Sequence, residues 1–136
     1  MYKDKTMRLL YCILALAGLL TGIDAPGQVI DTKEDVFRSL LGAGKVFLID
    51  VRTAEEYADA HIQGAANADW YQEDFLEQVK ALYPKDSGLP VAVYCRTGKR
   101  SGEAAAALAE AGYTVFNLLG GITGWIESGL PAESSE

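Results

Sequence analysis

The stretch KVFLID, Lys45 to Asp50, is apolar at four consecutive positions rather than at every second one, and no feature narrows the fold more. A strand with one wet face alternates; a strand without alternation is covered on both faces, as in a parallel sheet between helices. VAVYC (Val91 to Cys95) and TVFNLL (Thr114 to Leu119) are similarly apolar, VAVYC being the most β-prone run of the chain. QVI (Gln28 to Ile30) and AANA (Ala65 to Ala68) read as shorter strands. Helical patterns separate all five, with connections of a few residues. The pattern predicts an α/β domain, a doubly wound, mostly parallel sheet flanked by helices. At 136 residues, 49% apolar and 23% charged, the chain is globular and long enough for one core, not two.

The helices have recognisable ends. Thr32 with Asp35 resembles a capping box ahead of a helix whose Val36, Leu40 and Leu41 share a face, stopped by Gly42 and Gly44. Thr53 with Glu56 makes a second box for a helix to about Ala60, after which His61 to Gly64 turns the chain. Phe75, Val79 and Leu82 lie at helical spacing and Pro84 closes that segment. SGEAAAALAEAG is a helix starting near Ser101 and ended by Gly112. GGITGWIESGLP is a short terminal helix, and residues 132–136 are a polar tail expected to fray.

Residues 1–25 stand apart. Lys3, Lys5 and Arg8 precede twelve uncharged residues, Leu9 to Leu20, and then small residues around Gly22 and Ala25. A basic start, a short apolar run and a small-residue exit read as a secretory signal, since spanning a bilayer takes about 20 apolar residues. On that reading the domain, residues 26–131, is exported, to a periplasm in a bacterium. An uncleaved segment would instead anchor it, the only membrane contact the sequence offers. Cys12 is then a small apolar residue of this segment. The net charge of −7 and the lack of a basic stripe exclude the usual nucleic-acid binder.

Export would leave Cys95 as the one cysteine, unable to close an internal disulfide. It stands in CRTGKR between a strand and a helix. Three of the chain's 12 basic residues, Arg96, Lys99 and Arg100, crowd it, with no Asp or Glu between Asp86 and Glu103. A tight reversal with Gly98 would turn backbone amides inward, and the following helix start adds partial positive charge. Amides and cations together should depress the thiol pKa and attract small anions. His61, the only histidine, cannot make a zinc site with one cysteine. Trp125 and Tyr113 read as packing residues, and Trp70 and Tyr71 as packing or entrance residues. Neither C-x-x-C nor a nucleotide loop occurs, so neither dithiol exchange nor a cofactor is expected.

Four stretches in order, LIDVRTAEEYADAHIQGAAN, VAVYCRTGKRS, AAAALAEAGYTVFNLLGG and GWIESGLP, resemble the rhodanese (thiosulfate sulfurtransferase) family over nearly all of residues 29–131. The resemblance implies that Cys95 carries a persulfide. It also implies that Arg96, Thr97, Gly98, Lys99, Arg100 and Ser101 form the substrate-binding loop, with Asp50 and Arg52 supporting it as a structural ion pair or cap rather than as catalytic residues. The implied partners are a small anionic sulfur donor and a cyanide or thiol acceptor. Related phosphatases place five residues between cysteine and arginine; here four separate Cys95 from Arg100, the smaller loop of sulfur transfer. Two alternatives stand beside this reading: a non-catalytic binding or redox-sensing module, and a small-loop phosphatase.

Overall fold

Five parallel strands alternate with five α-helices along residues 27–135, the part of the chain that the computed structural model describes. The expectations for residues 1–25, Cys12 included, lie outside the described residues. In chain order the elements are β1 (Val29–Thr32), α1 (Glu34–Ala43), β2 (Phe47–Asp50), α2 (Ala54–Asp59), β3 (Ala66–Asn67) and α3 (Phe75–Leu82). A 3-10 turn, Lys85–Ser87, follows, then β4 (Val91–Tyr94), α4 (Lys99–Glu110), β5 (Val115–Leu118) and α5 (Gly121–Glu127). The strand order is β1-β5-β4-β2-β3, every neighbour parallel. This is the expected doubly wound sheet.

Strand β4 lies at the centre, and all four of its residues are fully buried. Its alternate side chains feed two cores. Val91 and Val93 join Ile49, Phe75, Val79 and Leu108 on one face, whereas Ala92 and Tyr94 join Phe37, Leu118, Ile122 and Trp125 on the other. Each buried valine contributes about 1.5–3 kcal/mol. Parallel strands place their carboxyl ends together, so the connections after β2, β4 and β5 gather at one edge of the sheet.

Four local expectations are corrected. Thr32 does not cap α1: it ends β1, donating its hydroxyl to the Asn117 carbonyl at 3.2 Å, and Lys33 stands at the N-cap without a side-chain bond. Val36 is therefore exposed, and Phe37 with Leu41, four residues on, packs on the sheet. Leu82 is also exposed, because Tyr83 takes the inward place and stacks on Phe47 with ring centroids 4.1 Å apart. The tail is tied down rather than frayed: Glu133 pairs with His61 through two 2.8 Å backbone bonds, and the Ser135 amide donates to Ala58 at 2.9 Å. The Thr53–Glu56 capping box forms as the sequence indicates.

Candidate active site

Cys95 is the first residue past β4, and α4 begins only four residues later. The helix starts at Lys99, not near Ser101, because Gly98 makes the reversal by itself at φ 105 and acts as the N-cap. A side chain could not stand there: a Cβ would lie 2.3 Å from the Leu119 carbonyl oxygen. Gly102 is the first residue to close a helical bond, back to the Gly98 carbonyl at 3.0 Å. The amides of residues 99–101 consequently have no partner within the helix. The early start puts the Ser101 amide among them.

These donors surround the sulfur. The Gly98 amide donates to Cys95 Sγ at 3.1 Å. Burial, at 1% exposure, pushes the thiol pKa up, but the Ser101 hydroxyl with the amides of Ser101, Gly98 and Thr97 outweighs it, and the net direction is downward. The Ser101 hydroxyl also lies 3.3 Å from the Gly98 carbonyl, a long contact, and can rotate towards the sulfur. Cys95 is thus as enclosed as a core cysteine, packed in the cluster of Ala68, Phe75 and Ala104, yet its sulfur faces hydrogen-bond donors.

The cations act differently from expectation. Arg96 and Lys99 are exposed, and neither is among the main causes of the thiol's shift. Arg100 does interact electrostatically with Cys95, but its guanidinium is clasped by Glu56, Nη1 to Oε1 at 2.8 Å and Nη2 to Oε2 at 3.0 Å. Arg100 is thereby held well above the ordinary arginine range, and Glu56 down at about 2, chiefly by that hydrogen bond. The same carboxylate accepts from the Thr53 amide and hydroxyl, so the α2 capping box and the thiol loop share one anchor. Sequence reading took Thr53–Glu56 as local and missed this second role. The arginine also lies over the exposed Tyr71 ring, 5.6 Å from its centroid.

Asp50 and Arg52 form the expected pair, buried, with Arg52 Nη2 at 2.7 Å from Asp50 Oδ2. Arg52 Nη2 also donates to the Ala60 carbonyl, and the Asn67 amide bridges the Asp50 and Arg52 carbonyls at 3.0 and 2.8 Å. These bonds fix the β2 end beside the loop. His61 is kept from Cys95: its ring stacks on Tyr57, with Nδ1 2.8 Å from the Tyr57 carbonyl and Nε2 3.4 Å from Glu133. Trp125 and Tyr113 pack in the two cores, and Trp70 donates to Glu103 of α4 at 3.0 Å. Among the described residues no group of three or more His, Cys, Asp and Glu could hold a metal, and no helix is long and apolar enough to cross a membrane.

The loop is also held from behind by residues that sequence reading passed over. The amides of Ile122 and Thr123 donate to the Cys95 and Arg96 carbonyls at 2.9 and 3.2 Å. Gly121, at φ 62, permits the approach, for a Cβ there would stand 2.3 Å from the Arg96 oxygen. The Gly120–Gly121 pair in the sequence is the signal that could have pointed to it. A cleft of about 250 Å³ lies between α2, this side of the loop and α5.

Comparison with known proteins agrees with the geometry. The family model "Rhodanese-like domain" matches residues 33–128. Over 109 residues the chain is 36% identical to thiosulfate sulfurtransferase 16, chloroplastic, of Arabidopsis thaliana, covering 73% of this chain and 88% of that protein. It is 36% identical over 104 residues to a sulfurtransferase of Allochromatium vinosum, covering 76% of this chain and 92% of that one. Among solved structures, a rhodanese-like domain from Anabaena superposes with a TM-score of 0.65 at 25% identity, over 81% of this chain and 80% of the other.

Proposed function

The chain belongs to the rhodanese-like family, with sulfurtransferases among its relatives, and on that footing we propose that it moves a sulfane sulfur from thiosulfate or a related donor to cyanide or a thiol through a persulfide on Cys95. The carrying observation is the Cys95 sulfur, buried, bonded to the Gly98 amide and lowered in pKa by the loop's own donors. A thiolate held this way attacks the outer sulfur of thiosulfate, the S–S bond breaks, and sulfite leaves with the bonding pair. The new terminal sulfur is an anion among the same amides, which stabilise it as an oxyanion hole does. An acceptor then takes that sulfur and Cys95 returns as thiolate, a double displacement with ping-pong kinetics.

Arg96 and Lys99, exposed at the rim, attract the anionic donor; Arg100 positions the loop through Glu56. The short loop, with four residues between Cys95 and Arg100, favours sulfur transfer over a small-loop phosphatase, and Arg100 already shares two of its five N–H donors with Glu56. Incubation with thiosulfate should add the mass of one sulfur atom to the peptide containing Cys95. A folded protein that gains no such mass overturns the reading. Export is part of the same proposal, supported by the pattern of residues 1–25. Cell fractionation with N-terminal sequencing checks it, and an intact chain in the cytosol contradicts it.

A further inference from the structure

Gly120, Gly121 and Gly124 crowd the start of α5, yet only Gly121, at φ 62, takes a conformation that other residues avoid. Gly120, at φ −81 and ψ −6, and Gly124, inside the helix, have backbones that alanine adopts readily, and alanine is the better helix former. One atom excludes a side chain at both. A Cβ would stand 2.4 Å from Glu34 Oε1 at Gly120 and 2.5 Å from the same oxygen at Gly124. The two glycines lie one helical turn apart, the Gly124 amide donating to the Gly120 carbonyl at 3.1 Å, so they bound a single notch that the Glu34 carboxylate fills. Glu34 opens α1 and is half-buried, and its side chain makes no hydrogen bond or ion pair among the described residues. What it supplies here is shape.

The notch bears on the thiol through the residues between its glycines. The amides of Ile122 and Thr123 hold the Cys95 and Arg96 carbonyls at 2.9 and 3.2 Å. A trans peptide unit is planar, with its C=O and N–H pointing opposite ways. Turning the Arg96 carbonyl to Thr123 therefore turns the Thr97 amide, the other end of that unit, away from α5. That amide is among the donors that lower the Cys95 thiol. Core packing does not set this alignment alone: Ile122 and Trp125 press α5 onto the sheet, but apolar contact is non-directional. A carboxylate lodged between two glycines one turn apart resists rolling and sliding of the helix.

We propose that Glu34 is a positioning residue of the thiol loop: seated between Gly120 and Gly124, it fixes α5 so that Thr123 keeps the Arg96–Thr97 peptide aimed at Cys95. Its meaning for catalysis rests on the persulfide reading of Cys95.

The test follows the Cys95 titration midpoint by its ¹³Cβ resonance, and the rate of sulfur uptake from thiosulfate across pH. Glu34→Ala should raise the midpoint by about half a unit, part of one charge-assisted amide bond. Uptake should then slow about threefold below the midpoint and stay near the native rate well above it, a pH profile that general loss of structure would not give. Glu34→Gln, which keeps the shape, should retain the native midpoint. Gly124→Ala, whose methyl displaces the flexible carboxylate, should shift the midpoint as Glu34→Ala does, and the double variant should add nothing to either. Should Glu34→Ala fail to fold, Gly124→Ala, which favours the helix, gives the same reading. Unmoved midpoints in the alanine variants, a Gln variant shifted as far as Glu34→Ala, or additive shifts in the double variant overturn the assignment and leave the persulfide reading intact. Midpoints that move as expected in a protein that takes up no sulfur overturn the persulfide reading instead.

Discussion

The two sides of the Cys95 loop carry positive charge in different ways. On the inner side it consists of partial charges on the backbone, with the Gly98 amide 3.1 Å from the sulfur and the Ser101 and Thr97 amides beside it. On the outer side it consists of whole charges: Arg96 and Lys99 face water, and Arg100 is bound to Glu56. Fixed dipoles in a buried site act at full strength and need no reorganisation, whereas solvated cations are screened. The inner side therefore governs the chemistry of the thiol, and the outer side governs what approaches it. Net charge near a cysteine is a poor guide to its reactivity unless the donors that reach the sulfur are known.

Substitutions on the two sides should separate their roles. Cys95→Ser should abolish sulfur transfer, by at least about 10³-fold, with thermal unfolding little changed; residual transfer near wild type would place the chemistry elsewhere. Gly121→Ala attacks the inner side without touching a donor, since the added methyl meets the Arg96 carbonyl. Loading should fall about 10²-fold, as displacements near 1 Å do, and the thiol pKa should rise. A folded variant with wild-type loading would show that the α5 contacts do not position the loop.

Effects on the outer side are smaller. Glu56→Gln removes the clasp on Arg100 and should cost about 1 kcal/mol by chemical denaturation, the pair being partly exposed. The Glu56 carboxyl is lowered from 4.5 to about 2 in the folded chain, so its stabilisation is fully present above pH 4.5 and is lost as the pH falls towards 2. The variant should lack that part of the acid sensitivity, which unfolding curves at several pH values measure. Lys99→Ala should raise the KM for thiosulfate no more than about twofold at physiological ionic strength, an effect that added salt erases.

The apolar runs announced the parallel sheet because strands covered on both faces leave a pattern of several consecutive residues. The Thr53–Glu56 box and the loop at Cys95 were legible for a similar reason: their chemistry lies within a few positions. The Glu56–Arg100 clasp was not, for its partners are 44 residues apart and only the sheet order brings them together. The α1 face was misjudged by one residue because Thr32 can serve a cap or a strand end, and pairing with β5 decided for the strand. The start of α4 moved to Lys99 because Gly98, an N-cap residue with positive φ, makes the reversal by itself. The hold of Ile122 and Thr123 on the loop is made by backbone amides, which any sequence supplies.

Backbone amides and the Ser101 hydroxyl keep the Cys95 sulfur ionised more readily than that of a free cysteine. The most direct measurement is a pH titration of the Cys95 ¹³Cβ resonance, which needs no reagent to enter the buried site, in the native protein and in Ser101→Ala. The native midpoint should lie below the ordinary thiol value of 9.0, and the substitution should move it upward. A native midpoint at or above that value, unmoved by the loss of the Ser101 hydroxyl, would show that the loop donors do not set the ionisation of Cys95.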